Sequence, residues 1–346
     1  MIDRKSMMAN KREKLLGMKP TKVQFETLKL GLKVEWEYGL PLIVKPNVQD
    51  LNEVKWLQSQ KEEIEKLLYK HGVVRMRGFS TRYSEKFQEI VQALSSELLE
   101  YKERSTPRSQ VSGKIYTSTE YPEDQFIPLH NENSYSNIWP NKIWFYCHTA
   151  AEDGGETPIG DSRKVYQLID PEIRRTFEQK RVMYVRNYGM GLDLPWQQAF
   201  QTEDKSVVEA YCRQHDIEFE WLGENRLRTR QVRQAVTVHP QTGEHVWFNQ
   251  AHLFHVSNLQ KHVRDSLLAV VNEIDLPRNA FFGDGSIIDQ EILENIREAY
   301  RQVEISFPWE QGDIMLLDNI LMTHGRAPFK GKRKILVSMS DPIKAH

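Results

Sequence analysis

Two histidines and a glutamate have the types and the spacing of a metal site. His130 and Glu132 are two positions apart, and His324 follows far downstream. In an extended segment, residues two positions apart point to the same face, so an imidazole and a carboxylate can converge on one point. Two histidines and one carboxylate form the facial triad that holds Fe(II) and leaves positions open for cosubstrate and oxygen. The alternative is an exposed His-Asn-Glu loop without a metal.

An arginine and a threonine could bind a carboxylate beside such a metal. Arg333 lies nine residues after His324, before an apolar strand, and a guanidinium makes bidentate bonds to a carboxylate such as the distal group of 2-oxoglutarate. Thr157 offers a hydroxyl that could share that carboxylate. The alternative for Arg333 is a surface cation within the basic stretch 330–334. Arg326 is a rival for binding this carboxylate. It lies only two residues after His324, and on a strand it would share the face of that ligand and crowd the metal, so we prefer Arg333.

Other reactive side chains fit structural roles. Four histidines form a second cluster that could hold zinc: His239, His245, His252 and His255. No acidic or cysteine partner accompanies them at a familiar spacing, which favours packing or support of the first site. Cys212 lies in a helix-like stretch and is predicted to be buried. Three arginines are candidates for a substrate carboxylate, with a structural role as the alternative: Arg108, Arg186 and Arg230.

Hydrophobic patterns predict the elements that must position these residues. Helical spacing predicts one helix from Leu51 to a stop at Gly72, and another with Phe87 to Leu98 on one face. Helical stretches interrupt the strands near 188–233 and 259–303. Strands are predicted at 41–45, 73–79, 143–148, 236–239, 245–248, 314–317 and 335–339. Short strands with helical insertions favour a jelly-roll or barrel core carrying a lid.

Composition excludes several classes of protein. The 346 residues carry 47 Lys+Arg and 48 Asp+Glu, a formal net charge of −1, which argues against a nucleic-acid partner. No apolar run is long enough for a membrane span, and the N-terminus lacks the apolar segment of a secretory signal. Two cysteines are too few for a disulfide framework. We expect a soluble cytoplasmic protein with a flexible arm at 1–20 and a single domain over 21–346.

Taken together, these residues and their surroundings resemble the TauD/TfdA-like family of Fe(II)/2-oxoglutarate-dependent dioxygenases, and within it the syringomycin-type (SyrP-like) hydroxylases. The resemblance implies a mainly β, α+β fold: a double-stranded β-helix, or jelly roll, with flanking helices. It implies His130, Glu132 and His324 as iron ligands. It also implies Arg333 and Thr157 as the 2-oxoglutarate site, with O2 as the oxidant. The segments that carry it are KHGVVRMRGF (70–79), LHNENSYS (129–136), WFYCHTAAEDGGETPIGDSR (144–163), HPQTGEHVWFN (239–249) and GDIMLLDNILMTHGRAPFKGKRKILVSM (312–339).

The resemblance implies hydroxylation of an unactivated C–H bond in an amino-acid-like substrate, free or bound to a carrier protein, in antibiotic or other specialised-metabolite biosynthesis. Val337 stands where the taurine enzyme has an arginine for the sulfonate, which argues against taurine. Glu132 replaces that enzyme's aspartate, and it argues against halogenation, because related halogenases have a small residue there that leaves room for chloride. Desaturation, epoxidation and a non-catalytic jelly-roll binding protein are the alternatives.

Overall fold

The computed structural model describes residues 26–28, 32–44, 52–79, 84–100, 109–118, 121–191 and 193–345. The predicted arm at 1–20 and the candidate Arg108 lie outside these residues. Within them, no helix is long and apolar enough to cross a membrane.

Strands and helices both contribute to the fold. The strands are β1 (Glu26–Leu28), β2 (Leu32–Glu37), β3 (Leu40–Val44), β4 (Val73–Arg77), β5 (Gln110–Ser112), β6 (Ile115–Thr117), β7 (Ile127–His130), β8 (Ile138–Thr149), β9 (Asp153–Gly154), β10 (Ile159–Asp161), β11 (Val182–Tyr188), β12 (Glu218–Trp221), β13 (Leu227–Arg233), β14 (Val236–Val238), β15 (His245–Trp247), β16 (Arg278–Phe282), β17 (Ile314–Asp318), β18 (Met322–Arg326), β19 (Phe329–Lys330) and β20 (Lys334–Lys344). The helices are α1 (Glu53–Ser59), α2 (Lys61–His71), α3 (Ser84–Leu94), α4 (Ser162–Leu168), α5 (Pro171–Lys180), α6 (Trp196–Phe200), α7 (Lys205–Gln214), α8 (Ala251–Phe254), α9 (Lys261–Leu268) and α10 (Gln290–Val303), with 3-10 turns at Val256–Asn258 and Glu273–Asp275.

The largest sheet has the strand order β1-β2-β3-β4-β17-β8-β20-β6-β5. Its strands are antiparallel except for the β3–β4 pair. Strand β8 shows how the sheet divides two cores, because alternate side chains point to opposite faces. Trp144 and Tyr146 pack with α1, α2 and α3 on one face, whereas Phe145 and Cys147 pack on the other.

A smaller sheet of order β10-β18-β7 covers that second face. Ile159 of β10 and Met322 of β18 share one apolar core with Phe145, and the β14–β15 hairpin adds Val246. Two antiparallel sheets closing over one core confirm the predicted jelly roll with flanking helices.

The first predicted helix is interrupted, and its end is confirmed. Gln60 separates α1 from α2, and α2 ends at Gly72, whose φ of 75° is left-handed. A Cβ at Gly72 would clash with Cγ of Met322, so the close approach of these segments requires glycine. The second helix ends at Leu94, and Leu98 instead forms a β-bridge with Ser340 of β20.

The two predicted insertions contain helices and also a sheet that the patterns did not predict. Helices α6 and α7 lie within 188–233, and α9 and α10 lie within 259–303. Strands β12 and β13 of the first insertion and β16 of the second form an antiparallel sheet with β11, in the order β12-β13-β11-β16. Cys212 of α7 is buried in the small core of this region, as expected.

Candidate active site

The pairing of β7 with β18 brings together the three residues of the predicted triad. His130 at the end of β7 is the register partner of His324 in β18, and their ring centroids are 4.5 Å apart. Glu132 follows two residues later, and its Oε2 lies 3.6 Å from Nε2 of His324. One ligand atom of each residue lies within 4.8 Å of the others, and among the described residues no other such group forms. This donor set and spacing fit an iron site.

Hydrogen bonding orients the first histidine for a metal. Nδ1 of His130 lies 2.9 Å from the carbonyl oxygen of Pro128. A carbonyl only accepts, so Nδ1 carries the proton and Nε2 presents its lone pair. The ring of His324 packs on Phe145 with centroids 5.1 Å apart, which restricts its rotation.

Arg333 is a partly buried cation beside the triad. Its Nε donates to the carbonyl of Gly155 at 2.8 Å, and its Nη1 lies 3.4 Å from Oγ of Ser118. Burial, and then the nearby Arg326, lower the pKa of Arg333 to about 10, so it remains protonated at neutral pH. Gly155 has a φ of 74°, and a Cβ there would stand 3.0 Å from Cδ of Arg333. Glycine is therefore needed for both the turn and the guanidinium.

Thr157 is prepared to donate a hydrogen bond into the same pocket. It is buried, and its Oγ1 accepts a hydrogen bond from the indole Nε1 of Trp309 at 3.1 Å. Because an indole nitrogen only donates, the threonine proton is left for another acceptor. The pocket is lined by His130, His324, Thr157 and Arg333, with Phe145 and Val337 among its apolar walls.

The rival Arg326 also borders this pocket, but its guanidinium is bound to backbone. Its Nη1 donates to the carbonyl of Tyr121 at 2.8 Å, and its Nη2 donates to those of Pro122 and Gln125. Burial lowers its pKa. Arg326 therefore holds the 121–125 segment, whereas Arg333 has the better-placed donors for a carboxylate.

The second histidine cluster does not assemble a metal site among the described residues. His239 pairs with Asp318 at 2.9 Å, and exposed His245 stacks on Tyr166. His255 bonds to a neighbouring serine. His252 lies 3.0 Å from the carbonyl of Leu129, next to the first triad histidine. The zinc alternative is wrong for these residues, and support of the first site fits His252.

Burial changes the acid–base properties of the last two histidines. Desolvation lowers the pKa of His252 to about 3. Burial, followed by the charge of Arg297, lowers that of His255 to about 4. Both imidazoles are therefore neutral in the folded protein near pH 7.

The two candidate arginines that the structure describes, Arg186 and Arg230, do not line the pocket. Arg186 is buried in β11, with its guanidinium 4.7 Å from the ring centre of Tyr188. Arg230 of β13 lies 3.5 Å from Glu220 on the exposed side of the insertion. Sequence reasoning missed Trp309, whose contact with Thr157 spans 152 positions and has no local signal.

The chain is similar to known proteins along most of its length. The family described as "Taurine catabolism dioxygenase TauD, TfdA family" matches residues 39–339. Dapdiamide synthesis protein DdaC of Enterobacter agglomerans is 46% identical over 280 residues, which cover 81% of this chain and 85% of that protein. A clavaminate synthase-like protein of Arabidopsis thaliana is 30% identical over 298 residues, covering 82% and 86%.

A solved structure supports the fold. AAD-2 in complex with Mn(II) and N-oxalylglycine superposes with a TM-score of 0.53, at 10% identity, over 94% of this chain and 99% of that one. The chain belongs to the TauD, TfdA family of iron- and 2-oxoglutarate-dependent dioxygenases. The His-Glu-His triad in its jelly roll fits the iron site that this class requires.

Proposed function

We propose that this protein hydroxylates an unactivated C–H bond of an amino-acid-like substrate, presented free or on a carrier protein, in specialised-metabolite biosynthesis. One observation carries the proposal: a pocket lined by His130 and His324, next to Glu132, also contains the guanidinium of Arg333 and the hydroxyl of Thr157. A metal triad beside a cationic carboxylate site is what a metal-bound 2-oxo acid requires.

Each residue has a separate role in this proposal. Nε2 of His130, the carboxylate of Glu132 and Nε2 of His324 bind Fe(II). The bound iron supplies O2 activation coupled to oxidative decarboxylation of 2-oxoglutarate. Arg333 and Thr157 hold the distal carboxylate, so that the 2-oxo acid end reaches the metal. Buried Phe145 and Val337 restrict water in the pocket.

The substrate class is supported by the relatives and by the pocket. DdaC is named for dapdiamide synthesis, which supports a role in specialised metabolism. Val337 gives the pocket an apolar wall, and the resemblance to the taurine enzyme implies an arginine for the sulfonate at this position, which argues against taurine. The insertions at 188–233 and 259–303 would form the lid over a larger substrate. A syringomycin-type hydroxylase is the branch we propose on this basis.

Glu132 supports oxygen transfer over halogenation. With Glu132 as the third protein ligand, its carboxylate would fill the position that related halogenases leave open for chloride. We therefore expect one atom of O2 in the product and the other in succinate.

Mass spectrometry with 18O2 tests the proposal on amino acids, free and carrier-bound, after anaerobic loading with Fe(II) and 2-oxoglutarate. A product heavier by one labelled oxygen, unchanged by added chloride, supports hydroxylation. Loss of two hydrogens would indicate desaturation, and labelled oxygen added across a double bond would indicate epoxidation. A chlorinated product would overturn the ligand assignment. Binding of 2-oxoglutarate without succinate formation in any reaction would indicate a non-catalytic binding protein.

A further inference from the structure

The side chain of Asn319 lies between the two segments that carry the triad. Its Oδ1 accepts a hydrogen bond from the backbone N–H of Glu132 at 2.7 Å. Its Nδ2 donates to the backbone carbonyls of Glu132 at 3.0 Å and of Pro140 at 2.9 Å. Asn319 is fully buried. The Asn319 amide therefore forms hydrogen bonds with both the backbone N–H and the backbone carbonyl of Glu132.

This bonding replaces a strand pairing at the point where the sheet ends. Strand β7 stops at His130, the register partner of His324, so Glu132 lies beyond the last strand residue. A buried backbone without a ladder needs other partners. The amide of Asn319 provides them in the way that a neighbouring strand would.

A return contact links the same segments in the opposite direction. Nδ2 of Asn131 donates to the backbone carbonyl of Asn319 at 2.6 Å and lies 3.2 Å from that of Met322. The two ligand-bearing segments thus exchange side-chain hydrogen bonds, from Asn319 to Glu132 and from Asn131 to Asn319.

The turn that holds Asn319 is itself restrained. Oδ1 of Asp318 accepts hydrogen bonds from the backbone N–H groups of Ile320 and Leu321, both at 2.9 Å. Its Oδ2 accepts from Nε2 of His239, because Nδ1 of His239 already accepts from two backbone N–H groups. Asp318 and His239 are both fully buried. The Asn319 amide is therefore presented to Glu132 by a rigid turn.

We infer that Asn319 is a positioning residue that aligns the Glu132 carboxylate with His130 and His324, and so sets the affinity and geometry of metal binding. The inference rests on the proposed function, in which these three side chains bind the metal. Outer-shell partners of metal ligands typically change metal affinity about 10- to 100-fold when they are removed. Asn319 acts through the backbone of its ligand, so we expect about a tenfold effect.

Anaerobic titration with Co(II), read by its visible d–d absorption, tests the inference on the full chain. We expect Asn319→Ala to weaken Co(II) binding about tenfold and to change the shape of the spectrum. The matched control is Asn187→Ala. The amide of Asn187 also donates to two backbone carbonyls, those of Ile274 and Leu276, and accepts from Nε of Arg228. Its loss should lower the melting temperature and leave Co(II) affinity and spectrum unchanged.

The outcomes separate this inference from the proposed function. A wild-type protein that takes up no Co(II) contradicts the metal site and hence both. A wild-type protein that binds Co(II), with Asn319→Ala showing the same affinity and spectrum, contradicts only the role of Asn319. An equal effect of Asn187→Ala would likewise overturn it, because general destabilisation would then be sufficient.

Hydrogen–deuterium exchange on the wild-type protein provides a test that does not depend on whether a variant folds. If Asn319 holds Glu132 before the metal arrives, the backbone N–H of Glu132 is protected in the metal-free protein. Exchange at the rate of an unstructured peptide, slowing only after Co(II) is added, would show that the metal orders this segment and would overturn the inference.

Discussion

His130 and His324 face each other across the β7–β18 pairing, although they are 194 positions apart in the chain. Their ring centroids are 4.5 Å apart, so the two imidazoles pack against each other. Glu132 reaches the same point because the chain turns away directly after β7. The site is therefore built at the end of one strand and the middle of another, and it depends on their register.

The first prediction concerns the metal. His324→Ala removes one of three ligands, and we expect the visible absorption of the anaerobic Fe(II)/2-oxoglutarate complex to be lost. His130→Ala should have the same effect. His245→Ala is the control, because this exposed histidine stacks on Tyr166 away from the triad. An unchanged absorption band and turnover in His324→Ala would show that the triad is assigned wrongly.

The second prediction ranks the two arginines. Arg333→Gln removes charge-assisted bonds of roughly 1.5–3 kcal/mol, so we expect the KM for 2-oxoglutarate to rise about ten- to more than a hundredfold. Arg326→Gln should change that KM less and lower the melting temperature more, because its guanidinium binds three backbone carbonyls. Steady-state kinetics and thermal denaturation measure both, and the opposite ranking would assign the cosubstrate to Arg326.

The third prediction concerns Trp309. Trp309→Phe removes the donor that orients the Thr157 hydroxyl. A neutral hydrogen bond contributes about 0.5–1.5 kcal/mol, so we expect the KM for 2-oxoglutarate to rise roughly two- to tenfold with kcat little changed. Trp139→Phe is the control, since its buried indole nitrogen has no hydrogen-bond partner among the described residues. Equal changes in both variants would argue for a packing effect.

The fourth prediction concerns the pH dependence of stability. Burial lowers the pKa of His252 from 6.5 to about 3. Between these two pH values the imidazole is protonated in the unfolded chain and neutral in the folded protein. The contribution of His252 to the free energy of unfolding should therefore fall as pH falls from about 6.5 toward 3, by about 1.4 kcal/mol per pH unit, and His255, whose pKa is lowered to about 4, should add a similar slope above pH 4.

Urea denaturation of the metal-free protein between pH 6 and pH 4.5 measures this slope. His252→Gln can keep the bond to the Leu129 carbonyl and has no proton to gain, so we expect a smaller slope. His262→Gln, at an exposed position on α9, should keep the wild-type slope. Equal slopes in wild type and His252→Gln would show that His252 is protonated in the folded protein.

Local sequence patterns were sufficient to predict several strands, a helix end and a hairpin. The apolar run 143–148 indicates a strand, and it forms the centre of β8. Gly72 ends a helix because a left-handed residue suits glycine best. The hairpin at 236–248 follows from two short β-rich runs around a glycine turn. Each of these signals lies within a few residues, where backbone geometry sets the side-chain period.

The candidate site follows partly from composition and partly from packing. The two-position spacing of His130 and Glu132 predicted that their side chains converge, but in the structure Glu132 lies in the turn after β7 and not on a shared strand face. Which distant histidine completes the group is not local, and four other histidines offered a rival cluster. Spacing from His324 already favoured Arg333 over Arg326, and the folded chain adds that the Arg326 guanidinium donates to three backbone carbonyls whereas that of Arg333 donates to one.

Neighbours along the chain were sufficient to predict several strands of the large sheet, the β14–β15 hairpin, the first helical layer and the residue types of a metal triad. Tertiary structure alone decided that Trp309 binds Thr157 and that Asn319 binds Glu132, contacts that span 152 and 187 positions. It also decided that the insertions share an antiparallel sheet. The physical reason is that a buried polar group must form a hydrogen bond once the sheets pack together. Its partner can come from a distant part of the chain, which no local periodic pattern specifies.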